Sequence, residues 1–129
     1  MSLIKKSTEL NIPTNVKMML YGQAGFGKST VALSAPMPLL LDFDNGVKRV
    51  NDSHLQSVDI VQVTSWNDMK VLMSENLSAY QSIVIDTIGK MMDFIISYKC
   101  GTRQPSIRDW GGINQEFSWF VRCLSDLNK

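Results

Sequence analysis

The sequence predicts an α/β protein with a parallel sheet and helices on both faces. Two observations lead to this prediction. Short apolar runs of strand length alternate along the chain with segments whose apolar residues recur at helical spacing. A glycine-rich turn also lies directly between the first apolar run and the segment that follows it, which is the order of a strand, loop and helix unit.

The bulk composition is that of one ordinary globular domain. The chain has 129 residues, is 44% apolar and carries a net charge of +1, so no overall field attracts nucleic acid or anionic lipid. Cys100 and Cys123 form no metal-binding or disulfide pattern, which favours a reducing compartment. No apolar run is long enough to cross a bilayer. We therefore expect a cytoplasmic protein without a membrane partner, a single domain over residues 1–129 that begins with a polar leader over residues 1–14.

The first half of the chain is predicted to contain three strands and one helix. The apolar run 17–21 predicts a strand, and the segment 29–35 after the glycine-rich turn predicts a helix that Pro36 stops. The run 39–43 predicts a second, buried strand, and the alternation over residues 58–63 predicts a half-buried one.

The second half is predicted to contain two more helices around a strand, followed by a loop and a last helix. Residues 65–68 have the form of a capping box that opens a helix running to Leu77. The run 82–86 predicts a strand, and Thr87 can cap a helix that ends near Tyr98. Glycine, proline and arginine over residues 101–112 predict a loop, and helical spacing resumes from Ile113 to Leu127.

The glycine-rich turn matches the phosphate-binding motif Gly-x-x-x-x-Gly-Lys-Ser. Its glycines let backbone amides point at phosphate at the start of a helix, whose dipole also favours anions. Lys28 can then reach the β- and γ-phosphates of ATP, and the Ser29 hydroxyl can ligate the magnesium that bridges them. The predicted nucleotide-binding residues are Gly22, Gln23, Ala24, Gly25, Phe26, Gly27, Lys28, Ser29 and Thr30.

Two further carboxylates are candidates for the chemistry. Magnesium usually needs an acid at the tip of a neighbouring buried strand, and Asp86 ends the run 82–86. The alternative is that Asp86 only caps the following helix. Hydrolysis also needs a group that orients or deprotonates water, and Asp44 follows the strand 39–43, where Asp42 shares its face only if the strand stays extended.

These segments together resemble phage and prophage ATP-binding proteins with a RecA-like core. The residues that carry the resemblance are 21–29, 40–46, 65–66 and 83–87. The resemblance implies a RecA-like P-loop NTPase linked to DNA recombination or replication. In RecA-like ATPases the second strand commonly ends in Asp-x-Glu-Gly, and the glutamate polarises the attacking water. Asp44 occupies the position of this glutamate, and Lys28 and Asp44 are therefore the predicted catalytic residues. Because the aspartate side chain is one methylene shorter, hydrolysis of ATP by the isolated chain is expected to be slow.

The resemblance also implies an incomplete sheet. A further core strand of RecA-like ATPases inserts between the P-loop strand and the strand that carries the magnesium acid, and here it would follow Leu127. A vacant slot between the strands 17–21 and 82–86 is therefore expected, with the chain truncated before that core strand. The alternative is that these two strands pair directly, as in the kinase and GTPase branch of P-loop proteins.

Three functions remain open from the sequence. The first is a DNA-linked ATPase that works as a homo-oligomer. Arg103, Arg108 and Trp110 would then be candidates to grip single-stranded DNA, although an ordinary solvated loop is the simpler interpretation. An arginine supplied in trans could be Arg49, Arg103 or Arg108. The second function is a small-molecule or nucleoside kinase with residues 103–110 as its lid, and the third is a nucleotide-binding module without significant hydrolysis.

Overall fold

The computed structural model describes residues 3–10, 15–23, 25–46, 50 and 58–127. The elements follow the predicted alternation of helices and strands after residue 28. In chain order they are a short 3₁₀ helix (Ser7–Glu9), α1 (Lys28–Leu33), β1 (Pro38–Asp42), β2 (Asp59–Gln62), α2 (Asn67–Leu72), β3 (Ser82–Asp86), α3 (Ile88–Cys100) and α4 (Asp109–Asp126).

The three strands form one parallel sheet in the order β2-β1-β3. Leu40 at the centre of β1 lies opposite Ile60 of β2 and Val84 of β3. Every residue of β1 is buried, which explains why its sequence is a continuous apolar run and does not alternate. The predicted parallel α/β architecture with an incomplete sheet is confirmed.

The main core lies on one face of this sheet. Leu39, Leu41 and Phe43 belong to one buried cluster with side chains from α2, α3 and α4. Trp66 is the largest buried side chain of that cluster, and its ring lies 5.3 Å from the ring of Phe120. The cluster also contains Val63, Met69, Leu72, Leu77, Met91, Ile95 and Ile113. Leu40 and Asp42, the alternate residues of β1, are buried outside it, on the opposite face.

A carboxylate, Glu116, joins the three helices of the main core. It accepts a hydrogen bond from Trp66 Nε1 at 3.1 Å and ion pairs with Lys70 at 2.6 Å and with Lys99 at 3.6 Å. Burial raises the pKa of Glu116, but the hydrogen bonds from Lys70 and Trp66 outweigh it and the net pKa is lowered. Glu116 therefore holds α4 in place against α2 and α3 through groups that satisfy its charge.

The predicted strand over residues 17–21 is wrong. This segment has no strand structure, and its side chains are exposed, at 75% for Met18 and 91% for Tyr21. A strand needs a hydrogen-bonding neighbour, but β1 is paired on both edges, and within the described part of the chain β3 pairs with β1 alone. The vacant slot expected between residues 17–21 and β3 is consequently bordered by a strand on the β3 side only. Within the described residues, direct pairing of residues 17–21 with β3 is not observed either.

Several boundaries also differ from the predictions. The helix expected over residues 65–77 covers only Asn67–Leu72, and β2 is mostly exposed because it is an edge strand. One half of the capping box predicted over residues 65–68 is present, because the Asp68 carboxylate accepts the backbone N–H of Ser65 at 3.2 Å, and it also accepts that of Thr64 at 2.8 Å. The last helix begins at Asp109, four residues before the predicted Ile113.

Within the described residues, no helix combines the length and apolarity that a membrane crossing would require.

Candidate nucleotide site

The phosphate-binding motif forms a turn that leads into α1. Gly25 and Gly27 have φ values of 87° and 80°, a left-handed conformation that glycine adopts without strain. Lys28 begins α1, and its Nζ atom donates to the carbonyl oxygens of Gly22 at 2.7 Å and Gln23 at 2.8 Å. The lysine therefore reaches back across the turn and holds its ammonium group at the start of the motif.

The turn is open to solvent. Gly22, Gln23, Gly25, Phe26 and Thr30 are exposed, whereas Lys28 and Ser29 are half-buried where α1 begins. Ala24 lies outside the described residues. A ligand can therefore approach the backbone of this turn without first displacing a packed side chain.

The motif is joined to the end of β3 by one hydrogen bond. Ser29 Oγ donates to Asp86 Oδ2 at 2.7 Å, although the two residues are 57 positions apart. Asp86 is the register partner of Asp42, and partners in a parallel sheet project from the same face. Ser29 and α1 consequently lie on the face opposite the main core, which gives the sheet helices on both sides.

Asp86 does not cap the following helix. Thr87 is the N-cap of α3, and its hydroxyl accepts the backbone N–H of Lys90 at 3.4 Å. The Asp86 side chain is instead turned toward Ser29, so the helix-cap interpretation of this carboxylate does not describe the structure.

The loop after β1 packs against the end of β3. The backbone N–H groups of Phe43 and Asp44 both donate to the carbonyl oxygen of Asp86, at 2.8 and 3.3 Å. Gly46 closes the loop, because its N–H donates to Asp42 Oδ1 at 3.1 Å. A β-carbon on Gly46 would lie 3.9 Å from Asp86 Oδ2, so the loop returns to the carboxylate that Ser29 contacts. The sequence does not indicate this role of Gly46 in closing the loop, beyond showing that Gly46 follows Asn45.

Asp44 does not share the face of Asp42. The strand ends at Asp42, and Asn45 has a left-handed φ of 56°, so the extended alternation is broken. Asp44 and Phe43 line an open cavity of about 380 Å³ between this loop and α3. The other lining residues are Asn45, Lys90, Asp93, Phe94 and Ser97. Asp44, the predicted water-orienting residue, therefore lies beside Asp86 through its backbone and lines the cavity next to α3.

The side chains at this junction fit a magnesium ion that arrives with a nucleotide. Magnesium is commonly held by one or two carboxylates together with phosphate oxygens and waters, and a hydroxyl completes such a set. Ser29 and Asp86 supply one hydroxyl and one carboxylate within 2.7 Å of each other. Across the described ranges no group of three His, Cys, Asp or Glu side chains forms a cage that would hold a metal without the nucleotide.

Several hydrogen bonds of the segment between α3 and α4 converge on Asp109, the first residue of α4. The guanidinium of Arg103 donates to both carboxylate oxygens of Asp109, at 2.7 and 3.2 Å, and Ser106 donates to it through its backbone and hydroxyl. The hydrogen bond from Arg103 contributes most to a pKa of Asp109 far below the usual range. Arg103 is thus engaged within its own loop, while Ile107, Arg108 and Trp110 are exposed; Arg49 lies outside the described residues.

Comparison with known proteins gives one match. A family model described as an AAA domain matches residues 14–129, which include the phosphate-binding motif, the sheet and all four α-helices. Neither the curated proteins nor the solved structures give a significant match.

Proposed function

Because the chain belongs to the AAA domain family, we propose that it is a magnesium-dependent ATPase whose residues 22–30 bind the phosphates of ATP. The observation that carries this proposal is the 2.7 Å hydrogen bond between Ser29 Oγ and Asp86 Oδ2. It joins the phosphate-binding turn to a carboxylate at the carboxyl end of a parallel strand, where α/β proteins of this kind bind their ligands.

Each residue of the site has a distinct role in this proposal. Backbone N–H groups of the turn hold phosphate oxygens, and Lys28 neutralises charge on the β- and γ-phosphates. Ser29 and Asp86 hold the magnesium ion, which supplies further charge neutralisation when it is bound with the nucleotide. Asp44 orients or deprotonates the attacking water. The present contacts of Lys28 with the carbonyls of Gly22 and Gln23 keep its ammonium group at the turn, so a small movement brings it to a phosphate.

Asp86→Asn is expected to weaken nucleotide binding about tenfold or more in magnesium and to leave magnesium-free binding nearly unchanged, because the carboxylate acts through the metal. The amide oxygen of asparagine can still accept the Ser29 hydroxyl, so the fold is expected to persist. Isothermal titration calorimetry with ATP, in magnesium and in EDTA, measures both affinities. The control is Asp126→Asn, which removes an exposed carboxylate from the end of α4. Equal losses under the two conditions would show that Asp86 does not act through magnesium.

We also propose that the ATPase acts on DNA, in phage recombination or replication, as a homo-oligomer in the cytoplasm. The resemblance to RecA-like proteins motivates this link, and the loop between α3 and α4 supports it physically. The loop ends at Arg108, and Trp110 follows in the first turn of α4; Ile107 and Trp110 are 94% and 42% exposed. An exposed cation and an exposed indole close in the chain are suited to phosphate contact and base stacking on a single strand.

Trp110→Ala is expected to lower the affinity for single-stranded DNA roughly 5- to 150-fold, since one base–aromatic stack contributes about 1–3 kcal/mol. Fluorescence anisotropy of a labelled oligothymidine, with ATP and magnesium present, measures this affinity. Val121→Ala is the matched control, because Val121 is an apolar residue of α4 with the same 42% exposure. Loss of affinity in both variants, or in neither, would contradict a stacking role for Trp110.

The cavity beside Asp44 supports a competing proposal, a small-molecule or nucleoside kinase. Its volume of about 380 Å³ is within the range of small-molecule sites, and Asp44 would then accept the proton of an acceptor hydroxyl in place of water. Phosphate release with and without single-stranded DNA, measured beside a screen of nucleoside acceptors, separates the functions. Acceptor-dependent ADP formation without phosphate release identifies a kinase, and nucleotide binding with neither product identifies a binding module.

A further inference from the structure

Asp42 is the one charged residue that is buried within the described ranges, with 2% of its surface exposed. It ends a strand whose other members are Pro38, Leu39, Leu40 and Leu41. Burying a carboxylate costs stability unless hydrogen bonds compensate for the lost hydration. An apolar residue would continue the strand more simply, so the position of this acid calls for a physical explanation.

One hydrogen bond of Asp42 reaches the loop that borders Asp86. Its Oδ1 atom accepts the N–H of Gly46 at 3.1 Å, which folds residues 43–46 back over the end of β1. The folded loop directs Gly46 toward Asp86, because a β-carbon added to Gly46 would lie 3.9 Å from Asp86 Oδ2, the oxygen that accepts the Ser29 hydroxyl. The same loop donates the N–H groups of Phe43 and Asp44 to the carbonyl oxygen of Asp86. Asp42 thus closes a loop that hydrogen bonds to the backbone of Asp86 and is directed toward its side chain.

We propose that Asp42 is a positioning residue for the nucleotide site. Its buried carboxylate holds the loop 43–46 against Asp86, and this fixes both the Asp86 carboxylate beside Ser29 and the backbone of Asp44. The proposal rests on the function proposed above and assigns to Asp42 no contact with nucleotide, metal or water. Its effect is transmitted through the hydrogen bond to Gly46.

The test compares three variants that affect this hydrogen bond differently. Asp42→Ala removes the acceptor, Asp42→Asn keeps an oxygen acceptor at the same place, and Gly46→Pro removes the donor while leaving Asp42 intact. Leu40→Ala is the matched control, since Leu40 is as buried as Asp42 and lies on the same strand and face without a carboxylate. Calorimetry with ATP in magnesium and in EDTA gives the affinities, and steady-state phosphate release gives kcat and KM.

Asp42→Ala and Gly46→Pro are expected to lose about tenfold or more in affinity in magnesium, as outer-shell partners of metal ligands do, with EDTA affinity nearly unchanged. Their kcat is expected to fall, and their KM in magnesium is expected to rise in parallel with the loss of affinity. Asp42→Asn is expected to recover most of both quantities. Leu40→Ala is expected to lower thermal stability without changing the dependence on magnesium.

The possible results separate this inference from the proposed function. If the wild-type chain binds ATP with magnesium dependence and the Asp42→Ala variant does the same, the positioning role is overturned and the proposed function stands. Asp42→Asn as defective as Asp42→Ala would also overturn it, because the charge and not the bond to Gly46 would then matter. If Asp42→Ala does not fold, Gly46→Pro decides alone, and wild-type behaviour overturns the inference. A wild-type chain without magnesium-dependent binding would overturn the proposed function and this inference with it.

Discussion

Replacing Lys28 with alanine is expected to abolish measurable ATP binding and to leave the fold intact. The lysine contacts the carbonyl oxygens of Gly22 and Gln23 and is half-buried outside the core cluster, so its removal leaves no cavity in the core. Each hydrogen bond to a charged group contributes about 1.5–3 kcal/mol, and two such bonds to phosphate oxygens correspond to at least a hundredfold in affinity, roughly.

Calorimetry with ATP and magnesium measures this loss, and circular dichroism with thermal melting reports whether the fold is retained. Lys5→Ala serves as the control, because it removes the same charge from an exposed position outside the proposed site. Affinity near the wild-type value in Lys28→Ala would remove the turn 22–30 from nucleotide binding. A variant that neither binds nor melts cooperatively would instead assign to Lys28 a structural role in closing the turn.

The strands β1 and β3 could be predicted from sequence, because each contains a short continuous apolar run. The run 82–86 has the bounds of β3, and the run 39–43 is displaced by one residue from β1. The same kind of apolar run led to the wrong prediction of a strand over residues 17–21. An apolar run indicates that burial would be favourable, but whether a free strand edge is available depends on the rest of the sheet. Within the described residues that segment has no such neighbour.

The candidate site shows a similar division. The motif 22–29 and the acid at the end of a buried strand could be located from sequence, and the structure brings Ser29 to 2.7 Å from Asp86; their roles in binding nucleotide and metal stay predictions. The separate faces of Asp42 and Asp44 could not be predicted, because they depend on where the strand ends. The ion pair between Arg103 and Asp109 could not be predicted from the sequence either, since it depends on the turn that Ser106 makes.

Asp44 provides the second large expected effect, and it concerns turnover. Asp44→Asn is expected to lower phosphate release about a hundredfold or more with little change in ATP affinity, because a general base contributes on that order and does not hold the ground-state phosphates. Asp44→Glu is expected to raise turnover above the wild-type rate. The added methylene extends the carboxylate from a backbone that is fixed at the Asp86 carbonyl, and a misplacement of about 1 Å can cost about a hundredfold in rate.

Single-turnover ATP cleavage, with the protein in saturating excess over ATP and the reaction quenched in acid, measures this rate independently of affinity and product release. Glu75→Gln is the control, because it removes an exposed carboxylate that follows α2 on a different part of the surface. Turnover equal to wild type in both Asp44 variants would remove Asp44 from the mechanism. A loss in Asp44→Glu as large as in Asp44→Asn would show that the aspartate already has the productive length. In that case the cavity between Asp44 and α3 would suit the shorter side chain. The slow hydrolysis expected for this chain would then need a cause other than an aspartate in place of glutamate.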